Sequence, residues 1–289
     1  MISVRNVGYT YMRGTPFEKT ALKNISFDVA DGEVVAIAGH TGSGKSTLIQ
    51  LMAGLIDLQS GAIEIDGLSV ADGAIRRKVG IVFQYPEHQL FEETVGDDIA
   101  FSPRNFGLSD EEISARVTEA MRQVGLDAAL KSSSPFELSG GQRRRVAIAG
   151  ILAFKPKYLI LDEPTAGLDP PAKENLLRNL FDKPRATIIL VSHNMDDIAR
   201  LADRVIVLAQ GENIFTGTPR QLFARQEILR RAGLEPPPVM KLLHALGIDA
   251  VALTADEAEK IIARNHLPHP LNQPITRPPK DGRSPELDA

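Results

Sequence analysis

Gly39-His40-Thr41-Gly42-Ser43-Gly44-Lys45-Ser46 is the stretch on which the reading of this chain turns. It has the spacing G-x-x-x-x-G-K-[ST], with the Val/Ile-rich run at 34–38 before it and a helix-compatible run at 47–52 after it. The glycines let the backbone curl until successive N–H groups face inward. Those dipoles and the start of the next helix bind phosphate oxygens. Lys45 is expected to reach the β- and γ-phosphates of a nucleotide, and the Ser46 hydroxyl to ligate Mg²⁺. The bland alternative is a glycine turn without a ligand, and a strand, loop and helix in that order argue against it. Gly39, His40, Thr41, Gly42, Ser43, Gly44, Lys45, Ser46 and Thr47 are therefore the candidate phosphate-binding residues.

Outward from the loop, short Val/Ile-rich runs recur at 79–83, 158–161, 187–191 and 205–208. Each is followed by glycine or polar residues, and helical patterns separate them. This predicts buried parallel strands in an α/β core. The first thirty residues alternate more, at 3–7 and 25–29, as an antiparallel edge sheet would. Between Gln84 and Gly150 the texture is helical. Ser109 and Glu112 form a capping box, Ile113, Val117, Ala120 and Val124 follow at helical spacing, and Gly125 is a stop. This reads as a helical insertion at about 85–150 in a domain spanning 1–220. After Gly233 and Pro236-Pro237-Pro238, the stripe Val239, Leu242, Leu243, Leu246 and a second capping box at Thr254 and Glu257 predict two short helices, a small accessory domain at 221–266. Residues 267–289 are proline-rich and polar, a composition that predicts disorder.

The run at 158–161 ends in Asp162-Glu163. A carboxylate at a strand end beside the phosphate loop suits Asp162 as the Mg²⁺-directed group, and Glu163 as the residue that orients or deprotonates an attacking water. A solvated loop start is the alternative for these two, and Lys45 tips the balance. His193 follows another strand and could bridge phosphate and water, although a lone histidine there is more often a surface or core residue. Gln84, at the end of 79–83, could touch the metal or the water and by itself is a weak signal.

Leu138-Ser139-Gly140-Gly141-Gln142 discriminates further. Ser139 is a good N-cap, and the glycines expose N–H groups at a helix start, a second anion-binding surface in a chain that already has one. A second chain's nucleotide is its natural ligand, so Ser139, Gly140, Gly141 and Gln142 are expected to act in trans.

With these motifs in place, residues 1–220 resemble an ABC ATPase, a P-loop NTPase. The resemblance implies a Walker A loop at 39–46, the Q-loop glutamine at Gln84, the signature at 138–142, Walker B at 158–162, the catalytic glutamate at Glu163, a D-loop ending in Asp169 and the switch histidine at His193. It places the adenine-stacking aromatic at Tyr11, with Tyr9 as rival. GTPFEK (14–19), VFQYPEHQLFEET (82–94) and SPFELSGGQRRRVAIAG (134–150) are similar to the ATP-binding subunits of energy-coupling factor (ECF) transporters, and TPFEK to their A′-type member. That likeness implies ATP and Mg²⁺ as cofactors, a second ECF-type ATPase as partner in a hetero- or homodimer, a C-terminal helical dimerisation domain, a transmembrane coupling component and a substrate-binding membrane subunit. It implies uptake of vitamins or metal ions, at the cytoplasmic side of the cell membrane as a peripheral protein. A dedicated cobalt or nickel importer ATPase is the nearest alternative.

Composition bounds these expectations. The 289 residues are 43% hydrophobic and 24% charged, with a net charge of -4 and no cysteine. That is ample for a core, leaves no thiolate metal site, and disfavours nucleic acid as a partner. The start MISVRNVGYTY lacks the layout of a signal peptide, and no apolar run approaches the roughly 20 residues of a membrane span. Residues 84–98 hold Glu87, Glu92, Glu93, Asp97 and Asp98, which read equally as an acidic docking groove for basic partner helices or as an acidic solvated loop.

Overall fold

The Val/Ile-rich runs form strands because each is covered on both faces. Val34, Val35, Ala36, Ile37 and Ala38 are all buried, as are the five residues of 158–162 and of 187–191. The computed structural model describes residues 1–181 and 186–266; the proline-rich stretch 267–289 lies outside them.

In chain order the elements are β1 (Ile2–Tyr11), β2 (Lys19–Val29), β3 (Val34–Ala38), α1 (Lys45–Met52), β4 (Ser60–Ile65), β5 (Leu68–Ser69), β6 (Val79–Val82), α2 (Val95–Asn105), α3 (Asp110–Gln123) and α4 (Gly140–Ala153). There follow β7 (Tyr158–Asp162), α5 (Pro170–Phe181), β8 (Thr187–Val191), α6 (Met195–Leu201), β9 (Arg204–Ala209), β10 (Glu212–Gly217), α7 (Pro219–Phe223), α8 (Gln226–Ala232), α9 (Pro238–Ala245) and α10 (Ala255–His266). The edge sheet expected from the first thirty residues is there, four antiparallel strands in the order β2-β1-β4-β5, with Ile2 opposite Val29 and Val7 opposite Ile25. The second sheet runs β10-β9-β3-β8-β7-β6, and from β9 to β6 every pairing is parallel.

Three apolar layers hold the sheets. One fills the space between the antiparallel sheet, α1 and one face of β3 and β7, with Val4, Ile25, Ile37, Leu48 and Ile160 at its centre. A second joins β7 and β8 to the inserted helices through Val117, Val146, Leu161 and Leu190. The capping box of α3 forms as expected, with Ile113, Val117, Ala120 and Val124 turned inward. The third continues from Ala36, Val205 and Val207 through Leu222, Phe223, Leu229 and Met240. A smaller cluster, Leu243, Ala252 and Ala258, lies beyond it.

Among the described residues four helices, rather than the two expected, follow β10, because 219–223 and 226–232 wind too briefly to show a period. The second capping box is also corrected. Thr254 accepts the Glu257 N–H at 3.2 Å, but the Glu257 carboxylate turns to the Leu253 N–H at 3.0 Å and to Arg220 at 2.7 Å. The guanidinium is the better donor, and it ties α10 to α7.

At the end of the sheets opposite the phosphate loop, a charged cluster rivets one sheet to the other. Asp66, between β4 and β5, takes Lys157 Nζ at 2.7 Å, Lys78 Nζ at 3.1 Å and the Tyr158 hydroxyl. Burial opposes ionisation of Asp66, and these donors outweigh it, holding its carboxyl well below the usual carboxylate range. A depressed carboxylate stabilises the fold above the unfolded-state value and loses that contribution as the pH falls. Asp66→Asn is therefore expected to cost about 1–3 kcal/mol at neutral pH, with the gap to wild type narrowing below about pH 4. Denaturant unfolding at a series of pH values checks this, and an equal gap at all pH would contradict it.

Candidate functional site

The parallel register puts the chemistry on one edge. Ile37 pairs with Val191, Val191 with Asp162, and Leu161 with Val82, so β3, β8, β7 and β6 end at nearly the same level. Ligands bind at such carboxyl ends in open α/β sheets. The residues that follow the four ends are Gly39, His193, Glu163 and Gln84, brought from four distant stretches of chain to one cleft of about 950 Å³.

The loop after β3 is backbone-built. Gly39 has φ +150°, and a Cβ there would sit 2.2 Å from the Leu208 carbonyl oxygen. Gly44 has φ +108° and caps α1, with Ala21 O only 2.6 Å from where its Cβ would be. The loop is tied to its surroundings by Gly211 N–H donating to Ser43 O at 3.2 Å and His40 N–H donating to Ala232 O at 3.1 Å. The Ser43 hydroxyl is buried without a hydrogen-bond partner among the described residues. Lys45 Nζ donates to the carbonyls of Gly39 and His40 at 2.7 and 3.0 Å. Burial lowers its pKa, and the carboxylates of Asp162 and Glu163 pull it back up.

Across the cleft, Asp162 is buried, and its carboxyl takes no hydrogen bond among the described residues. Burial and the neighbouring Glu163 raise its pKa to about 6, against the pull of Lys45. A buried oxygen donor in that condition, beside the exposed Ser46 hydroxyl and the Gln84 amide, fits a hard divalent cation that carries phosphate oxygens with it. Among the described residues no three His, Asp or Glu side chains cluster to hold such an ion unaided. Glu163 adopts φ +51°, rare for a side chain of its size. Its Oε1 accepts the His193 N–H at 2.8 Å and lies 2.6 Å from His193 Nδ1, so backbone and ring of the exposed histidine both hold it.

Tyr11 lines the cleft, its hydroxyl 3.0 Å from Thr47 Oγ1. Tyr9 stands behind it, edge-on at 4.9 Å and packed on the core. Ser139 caps α4 in a full capping box with Gln142, and Asp169 accepts the Ala172 N–H at 2.7 Å at the start of α5. Ser139, Gly140, Gly141, Gln142 and Asp169 do not line this cleft. Residues not expected there do: Lys19 from β2, Asn194 to Asp196 after His193, and Gly233 to Pro236, Pro238 and Lys241 from the extension. Nothing in a Gly-Leu-Glu-Pro stretch 190 residues from the loop signals such a wall.

Of the two readings of 84–98, an acidic docking groove or an acidic solvated loop, neither describes all five carboxylates. Asp98 is buried and accepts the N–H groups of Phe91 and Glu92, both at 3.3 Å; Asp97 pairs with Arg104 and Glu87 with Arg144. Asp98 and Glu87 shape the segment from within, while the Asp97–Arg104 pair lies on its surface. On the exposed surface Tyr85, Phe91 and Phe101 stand out alongside Glu93, with Phe91 and Phe101 packed edge-on at 4.9 Å.

A strand, glycine loop and helix facing Asp162-Glu163 across parallel strand ends define a phosphate-loop nucleotide hydrolase. The family model described as ABC transporter matches residues 22–166. The energy-coupling factor transporter ATP-binding protein EcfA2 of Caldanaerobacter subterraneus subsp. tengcongensis is 52% identical over 276 residues, 91% of this chain and 96% of that protein. The protein of the same name from Clostridium perfringens is 53% identical over 254 residues, 85% and 89% of the two chains. Among solved structures, cbiO1 of Clostridium perfringens, part of the ABC transporter complex cbiONQ, superposes with a TM-score of 0.70 at 37% identity over 86% of this chain and 98% of that one. The ATP-binding cassette MJ0796, a post-hydrolysis dimer bound to ADP and Pi, gives 0.67 at 32% identity over 76% and 99%. The chain belongs to the ABC transporter ATPases, in the branch of the energy-coupling factor transporter ATP-binding proteins.

Gly44→Ala is expected to strain the loop by about 1–3 kcal/mol, lowering the melting temperature and removing affinity for a fluorescent ATP analogue. Thermal unfolding and equilibrium titration measure both; an unchanged pair of values would show that the loop accepts a side chain.

Proposed function

We propose that this cleft is half of an ATP site and that a second ATPase subunit supplies the rest. The observation that carries the reading is the separation within one chain. Ser139 and Gly140 present an exposed helix start to solvent, away from the cleft that holds Lys45 and Glu163. Such a start binds anions. In a pair of chains, the Ser139–Gln142 turn of one would close over the γ-phosphate held by the other, with Asp169 beside the join. That solved relatives of this cassette form dimers supports the reading.

Within the site, Tyr11 would stack on adenine, and Lys45 would leave its two carbonyls for the β- and γ-phosphates. Ser46, Asp162 and Gln84 would hold Mg²⁺, which neutralises phosphate charge when bound. Glu163 would take a proton from the attacking water. His193, already on its carboxylate, keeps that side chain aimed and stands ready for the γ-phosphate.

Closure and reopening would drive uptake of vitamins or metal ions through a transmembrane component and its substrate-binding membrane subunit, at the cytoplasmic face. Among the described residues no helix is long and apolar enough to cross a membrane, so membrane association falls to partners. The likeness to cbiO1 favours a second reading, the ATPase of a dedicated cobalt or nickel importer. Residues 221–266 would serve as the dimerisation domain, where Leu242 of α9 and Leu246 just after it are exposed.

Glu163→Gln is expected to lower hydrolysis about 10²–10⁴-fold and to accumulate an ATP-bound dimer, while Lys45→Ala abolishes turnover. Steady-state ATPase assays and size-exclusion chromatography with ATP test both, and wild-type turnover in either variant overturns the site assignment. For docking, Phe91→Ala with Phe101→Ala should weaken recovery of the membrane partner about tenfold or more, as loss of aromatic anchors does. Charge reversal at Glu92 and Glu93 should matter less. Equal recovery by the aromatic double variant, measured by pull-down, would place docking elsewhere.

A further inference from the structure

Arg144 joins three parts of the molecule that the sequence keeps apart. It lies in the second turn of α4, only 3% exposed, between two arginines that are more open to solvent. Its Nε donates to the Pro164 carbonyl at 3.1 Å and its Nη2 to the Glu163 carbonyl. Its Nη1 lies 3.7 Å from Glu87 Oε2, an oxygen that is buried and has no hydrogen-bond partner among the described residues. One guanidinium therefore grips the two successive carbonyls of the Glu163-Pro164 turn and faces, across a gap too wide for a hydrogen bond, the carboxylate of the docking segment.

The arrangement has a mechanical consequence. Glu163 holds a left-handed conformation that a residue of its type rarely adopts unaided, and such conformations persist where neighbours enforce them. Here the enforcement comes from both sides. His193 holds the carboxylate and Arg144 holds the backbone. A buried cation whose anionic partner moves away is left uncompensated, so displacement of Glu87 has to be answered by Arg144. Glu87 sits between Tyr85 and Phe91, the exposed aromatics offered to a membrane partner.

We propose that Arg144 is a positioning residue through which the docking segment controls the aim of Glu163, with Glu87 as the lever. Partner engagement that shifts residues 84–91 changes the pull on the guanidinium, and the guanidinium carries the change to the Glu163-Pro164 turn. The proposal rests on Glu163 being the catalytic base.

The test uses the ATPase pair, free and in complex with its membrane partners. ATPase rates give kcat and KM, and a fluorescent ATP analogue gives affinity. Arg144→Lys keeps the charge but not the fork. It should lower kcat in both preparations on the order of 10–10²-fold, the cost of a misplaced reacting group, with analogue affinity within about twofold of wild type. Glu87→Gln should change the ratio of complexed to free kcat about tenfold, again without a change in affinity. A merely structural Arg144 would move affinity and melting temperature together with kcat, and that result overturns the proposal. So does Glu87→Gln with the wild-type ratio, a variant that remains informative even where Arg144→Lys fails to fold. Glu163→Gln separates the two levels. If it hydrolyses at the wild-type rate, the catalytic assignment falls; if it is inactive while Glu87→Gln keeps the ratio, only the relay falls.

Discussion

The level ending of four parallel strands is the constraint from which the rest follows. Parallel pairing of β3 with β8, β8 with β7 and β7 with β6 aligns their carboxyl ends, and each end is succeeded by a residue with chemistry to do. A slip of one residue in β7 would turn Asp162 away from Lys45 and bury it in an apolar layer. The register is specified because both faces of these strands are packed, so every position has a definite side to occupy.

The site created there is held under tension. Lys45 is half-buried and Asp162 buried, which disfavours the charged form of each, and each is the other's partial compensation. Glu163 has an uncommon backbone conformation fastened at its carboxylate by His193 and at its carbonyl by Arg144. A nucleotide triphosphate with its cation would relieve the first strain, supplying anions to Lys45 and a cation to Asp162. The fold tolerates the mismatch because stability is built elsewhere, in three apolar layers and in the charged cluster around Asp66 at the opposite end.

The helices inserted between β6 and β7 and those after β10 bear on the same edge from two directions. From the insertion comes the exposed Ser139 helix start, and also Arg144, which reaches the turn at Glu163. From the extension, the Ala232 carbonyl holds the His40 N–H, and residues out to Lys241 complete the cleft wall. Neither is an independent module hung on an ATPase core, since Arg144 of the insertion and Ala232 of the extension each hold backbone at the cleft edge.

Local pattern was enough for the fold class and for the placing of the main candidate residues. The phosphate loop, the Asp162-Glu163 strand end, the Ser139 cap and the α3 capping box are each marked by residues close together in the chain, and these elements stand where the pattern put them. Two short helices after β10, the return of Glu257 to Arg220, the inward turn of Asp98 and Glu87, and the wall from Gly233 to Lys241 were not legible. Arg144 is the clearest case. In a run of three arginines the sequence determines that charge and helix are present. Only tertiary packing decides which of the three is buried against Glu163 and Glu87, because helix rotation and the distance between segments are properties of the whole core, not of the residues nearby.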